Sequence, residues 1–171
     1  MHLIHDIDPL KTKSFVRAVV EISQGSKQKY EVDPEYGILS LDRTVPTACR
    51  YPVNYGFIPR TLGIDGDALD IFLFAQESIQ PGTLVTAKPI GLFDLVTDGE
   101  SDHKVIAVIK SDPAFGLAEK IEDLPKFLMR ELEQFLFTYK QLENKKVKVG
   151  PFLAADKAWE MIHETIKSYS K

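Results

Sequence analysis

The hydrophobic pattern of this chain changes period once, near residue 124, and that switch limits the folds open to it. Before it, short β-branched runs with alternating faces predict strands at residues 15 to 22, 29 to 32, 38 to 43, 69 to 74, 83 to 96 and 105 to 109. The longest of these is expected to bend at Pro89 and Gly91. Residues 46 to 62, rich in Pro and Gly, read as ordered loop. After the switch, Leu124, Phe127, Leu128, Leu132, Phe135, Leu136, Tyr139 and Leu142 form one helical stripe, with Asp123 as N-cap and Pro125 in the first turn. Residues 154 to 169 repeat the helical period through Ala155, Ala158, Trp159, Ile162 and Ile166. Strands first and helices last predict an α+β fold: an antiparallel, barrel-like sheet backed by two C-terminal helices. With 171 residues, 44% of them hydrophobic, the chain suits a single domain spanning 1–171.

Charge and cysteine content narrow the function classes. A formal net charge of −4 argues against nucleic acid and against anionic membranes as partners, since both call for a basic surface. No apolar run approaches the roughly 20 residues that span a bilayer, and Met1 to Asp8 lacks the basic start and apolar core of a signal peptide. Cys49 is the only cysteine, so no internal disulfide forms and a reducing, cytoplasmic location is expected.

Chemistry concentrates at Asp65-Gly66-Asp67-Ala68-Leu69-Asp70, where three carboxylates stand within six residues beside an apolar run. Such acids repel each other and raise one another's pKa unless a cation sits among them. Hard oxygen donors suit Mg²⁺, Mn²⁺ or Ca²⁺ rather than zinc. The pattern is not an EF-hand, because counting from Asp65 puts Leu69 at position 5, Asp70 at 6 and Gln76 at 12. Alone, Asp-Gly-Asp also reads as a solvated turn. Other strand ends and loops add Glu21, Lys29, Glu31, Arg43, Asp102, Lys104 and Lys140, with Tyr51, Tyr55 and Tyr139 as hydroxyl donors. Carboxylates hold divalent cations, cations bridge phosphate oxygens, and Lys, Arg and Tyr neutralise the remainder.

The ordered segments Val20-Glu21-Ile22, Lys29 to Asp33, Leu41-Asp42-Arg43, Tyr51 to Pro59, Asp65 to Asp70, Asp102 to Val108 and Tyr139-Lys140 resemble the soluble family I inorganic pyrophosphatases, from about residue 15 to residue 145. The resemblance implies a five-stranded OB-like β-barrel with additional strands and two C-terminal helices, and Mg²⁺-dependent hydrolysis of pyrophosphate to two phosphates. It also implies several Mg²⁺ ions per site, with Mn²⁺ or other divalent ions as substitutes, and a homo-oligomer, commonly a hexamer in bacteria. Carried over by position, Asp65, Asp70 and Asp102 ligate the metals that activate water, and Asp67 accepts or orients the proton of that water. Glu21 and Glu31 touch metal directly or through water. Lys29, Arg43, Tyr55, Lys104, Tyr139 and Lys140 hold the phosphoryl groups, with Tyr51 as a further site tyrosine.

One position departs from the family pattern: Thr97 stands where an aspartate is usual, five residues before Asp102. The expectation is that the loop brings Asp98 or Glu100 into support of the site, or that one metal binds more weakly. Two alternatives compete with the hydrolase reading. One is a catalytically weakened metal- and phosphate-binding relative; the other is an OB-like oligonucleotide-binding module, against which the net acidity counts.

Overall fold

The computed structural model describes residues 1–169; the last two positions of the expected 1–171 domain lie outside the described residues. Strands β1 (Leu10–Thr12), β2 (Phe15–Ile22), β3 (Gln28–Val32), β4 (Leu39–Thr44), β5 (Asn54–Phe57), β6 (Asp70–Phe74), β7 (Leu84–Thr97) and β8 (Glu100–Ile109) precede helix α1 (Lys126–Thr138). Two short strands, β9 (Val147–Val149) and β10 (Leu153–Ala154), then lead into helix α2 (Ala155–Ser168). Pairing runs β2–β5–β6–β8–β7 and returns from β7 to β2, so five strands close into a ring of OB-like form. Strands β3 and β4 form a separate hairpin that projects from it. Among the described residues no helix is long and apolar enough to cross a membrane.

The ring strands carry apolar side chains on both faces, as continuous runs such as Ile71 to Phe74 and Val105 to Ile109 require. Phe72, Phe74, Ile106 and Val108 pack with Leu132, Phe135 and Leu136 of α1. Their neighbours Ile71, Leu73, Val105 and Ala107 belong to a second cluster with Ala158 and Ile162 of α2. A third, smaller cluster ties Val32 and Leu39 of the hairpin to Leu3, Ile4 and Ile7 of the N-terminal turn.

Several local expectations need correction. Strand β5 lies inside the stretch read as loop, and Gly56 explains why composition misled: a Cβ there would stand 1.9 Å from the backbone oxygen of Val19. The sheet is not wholly antiparallel, since β6 and β8 run parallel. Asp123 does not cap α1. Its carboxylate accepts the N–H groups of Glu119 and Lys120 around a 3₁₀ turn at Ile121–Asp123, and Pro125 occupies the N-cap. Phe127, in the first turn of α1, stays exposed, and so does Leu142, since the helix ends at Thr138. The expected bend in β7 is present as a register shift between Pro89 and Gly91.

Candidate active site

Three structural decisions bring the acids of the sequence to one place. The first is the turn from Gly63 to Asp67, closed by a hydrogen bond from the Gly63 N–H to the Asp67 carbonyl at 2.7 Å. Asp65 Oδ1 accepts the Asp67 N–H at 3.1 Å, and Gly66 takes φ +90°, which an L side chain rarely adopts. Buried Thr61 secures the base of this turn: its hydroxyl donates to the Ile58 carbonyl at 2.6 Å and accepts the Leu69 N–H at 2.8 Å. The second decision is the parallel register of β6 with β8, which sets Asp70 directly across from Lys104. The third is strand geometry: Asp102 lies two residues before Lys104 and so shares its side of β8. The Lys104 ammonium is thereby held between two carboxylates, pairing with Asp70 and with Asp102 at 2.5 Å and donating to the Tyr55 hydroxyl at 3.2 Å.

These groups line a cavity of about 650 Å³ bounded by residues of the ring, the β3–β4 hairpin and the end of α1. Glu21, Lys29, Glu31, Arg43, Tyr51, Tyr55, Asp65, Asp67, Asp70, Asp102, Lys104, Tyr139 and Lys140 all contribute to its wall. Of the residues expected at the site from sequence, Asp98 and its alternative Glu100 lie outside the cavity wall. Asp98 and Gly99 both have positive φ and form the two-residue turn between Thr97 and Glu100. The Asp98 backbone N–H donates to the Lys146 carbonyl at 3.0 Å, and its side chain accepts the Lys146 N–H at 2.9 Å. Asp98 is thus tied to Lys146 through both its backbone and its side chain, and both it and Glu100 are exposed. Thr97 instead accepts a hydrogen bond from Lys140 Nζ at 3.3 Å.

The electrostatics are those of an acid-rich pocket short of positive charge. Burial, then Asp70, pushes the Glu21 carboxyl up to about 8, against the hydrogen bond it accepts from the Val32 N–H at 3.0 Å. Partial desolvation, Asp65 and Asp70 raise Asp67. Burial raises Asp102 as well, with Asp70 adding to it and Lys104 opposing. Burial works against a charged Lys104, yet Asp70 and Asp102 hold its pKa above the ordinary lysine value. Lys140 moves the other way, lowered by burial and then by Lys104. Burial also raises Tyr51, Tyr55 and Tyr139, so these hydroxyls remain neutral donors at physiological pH.

The donor set fits hard divalent ions. Every acidic ligand in the cavity is a carboxylate, and the raised pKa values of Glu21, Asp67 and Asp102 mark a demand for countercharge. Among the described residues no three His, Cys, Asp or Glu side chains already converge as a ligand cage. With Lys104 bridging Asp70 and Asp102, an ion has to compete with that ammonium for both carboxylates.

Two acids that the sequence reading gives no role pair with cations of the wall without being part of it. Asp42 pairs with Lys29 at 3.3 Å and with Arg43, and Glu143 binds Arg43 across a hundred residues of chain. Asp42 adjoins Arg43 in sequence, which offers a hint; no local pattern points to Glu143.

A closed OB-like ring with opposed carboxylates and cations around one cavity defines the class of protein. Within it, the family model for inorganic pyrophosphatase matches residues 18–170, and the chain belongs to that family. It is 39% identical over 171 residues to soluble inorganic pyrophosphatase 2 of Chlamydomonas reinhardtii, covering 99% of this chain and 89% of that protein. It is 38% identical over 156 residues to an inorganic pyrophosphatase of Picrophilus torridus, covering 91% and 88%. A crystal structure of inorganic pyrophosphatase from Thermus thermophilus superposes with a TM-score of 0.93 at 35% identity, covering 99% of each chain.

Proposed function

We propose that this protein is a Mg²⁺-dependent inorganic diphosphatase, a single domain that hydrolyses pyrophosphate to two phosphates. The observation that carries the reading is the meeting of Asp65, Asp67, Asp70 and Asp102 with Lys29, Arg43, Lys104 and Lys140 around one cavity. Acids alone would suit cation storage, and cations alone would suit simple anion binding. Both together suit a polyanion that arrives with metal.

Asp65, Asp70 and Asp102 would hold Mg²⁺, with Glu21 and Glu31 at the margin, and Mn²⁺ or other hard divalent ions fit the same donors. Bound there, such ions supply charge neutralisation of the diphosphate and acidify water to a useful nucleophile. Asp67 takes up or orients the proton of that water, and its raised pKa makes it a better base than an ordinary aspartate. Lys29, Arg43, Lys104 and Lys140 hold phosphoryl oxygens, with Tyr55 and Tyr139 as neutral donors and Tyr51 supporting them. A loose phosphoryl-transfer transition state asks mainly for such positioning and charge stabilisation. Thr97, with Lys140 on its hydroxyl, leaves that wall one carboxylate poorer than the resemblance leads one to expect. We assign the protein to the cytoplasm on its single cysteine, and expect a homo-oligomer such as a hexamer, which sedimentation would measure.

Phosphate release from pyrophosphate, assayed with Mg²⁺ and with EDTA, tests the reading. Release that depends on Mg²⁺ supports it; binding of pyrophosphate without release would identify a weakened relative instead.

A further inference from the structure

Arg43 enters the cavity from the β3–β4 hairpin, an arm outside the five-strand ring, so something must fix the direction of its guanidinium. Glu143 lies in a 3₁₀ turn at Gln141–Glu143, just beyond Tyr139 and Lys140. Arg43 Nε donates to Glu143 Oε1 at 3.1 Å and Nη2 donates to Oε2 at 3.3 Å, a two-pronged grip on one edge of the guanidinium. Arg43 Nη1 donates to Asp42 Oδ2. Glu143 is the most enclosed of the three, with its side chain 16% exposed against 33% for Arg43 and 32% for Asp42. It is not part of the cavity wall, whereas Arg43 is.

We infer that Glu143 is a positioning residue for substrate binding: it aims Arg43 from behind and ties the hairpin arm to the turn that carries Tyr139 and Lys140. The donor count supports this. Of the five guanidinium N–H groups, Glu143 takes one on Nε and one on Nη2, and Asp42 takes one on Nη1. One N–H remains on each terminal nitrogen, the pair suited to two oxygens of one phosphoryl group. Without Glu143 the guanidinium could rotate about its last bonds, and the arm would lose its link to the α1 end. Substrate would then have to order both.

The inference rests on the reading of Arg43 as a phosphate-holding cation. The test compares wild type, Glu143→Gln, Arg43→Ala and the double variant in Mg²⁺, by KM and kcat for pyrophosphate and by calorimetric titration with inorganic phosphate. Glu143→Gln should raise KM and weaken phosphate binding about three- to tenfold, with kcat within about twofold of wild type, as for a lost ground-state contact. In the Arg43→Ala background it should change nothing further. An unchanged or lowered KM overturns the inference, as does an effect that persists without Arg43. If wild type binds phosphate but does not turn over pyrophosphate, the hydrolase reading fails while the titration still decides the role of Glu143. Should Glu143→Gln fail to fold, Arg43→Lys decides: a KM as high as that of Arg43→Ala supports dependence on an aimed fork, and a wild-type KM overturns it.

Discussion

Glu21 ends a strand of apolar neighbours, and its carboxyl costs free energy there whenever it is ionised without a cation nearby. Its pKa of about 8 in the fold lies above the ordinary 4.5, so the folded state binds the proton more tightly than the unfolded chain does. That contribution is complete below pH 4.5 and is lost as pH rises through 8. Urea melts in EDTA should therefore show stability falling by a few kcal/mol between pH 5 and 9. Glu21→Gln should flatten the curve, and Mg²⁺ should restore stability most at the alkaline end, where the carboxylates no longer have to give up protons to bind it. Asp67→Asn keeps size and removes the base, so kcat should fall about 10²- to 10⁴-fold, with Mn²⁺ binding measured alongside to separate a lost base from a lost ligand. Thr97→Asp should increase the Mn²⁺ stoichiometry or affinity seen by calorimetry, because Asp98 is committed to Lys146. Most of these residues were legible because their motifs are local. Glu143 was not, since only tertiary structure brings it to Arg43; nor was the tie of Asp98 to Lys146, which depends on a partner in β9's approach.

Strands β2, β7 and β8 follow from alternation and β-branched content, and both helices from their period. Strand β5 escaped because Pro52, Gly56 and Pro59 resemble loop punctuation, while the real constraint is the approach of another backbone. Gly56→Ala should consequently cost about 3 kcal/mol or more, since its methyl would meet the Val19 carbonyl rather than a movable side chain. Chemical denaturation measures this, and a variant of wild-type stability would mean that β2 and β5 can separate without loss. The boundary of α1 was misplaced for a different reason: an aspartate that can cap a helix can equally close a 3₁₀ turn, and Asp123 does the latter.

For the molecule as a whole, composition and the switch of period were enough for the α+β class, but strand direction was beyond them. Nothing in residues 70 to 74 or 100 to 109 announces a parallel pairing, because direction is decided by how the ring closes. That pairing places Asp70 and Lys104 in register although the whole of β7 lies between them in sequence. A growing polypeptide released at residue 97 would therefore possess the acidic turn and lack the partner strand against which it is arranged. Such a fragment should give no saturable terbium luminescence under conditions where the full-length protein does. During refolding of the intact chain, ion capture should accordingly arrive together with global burial of the tyrosines and not ahead of it.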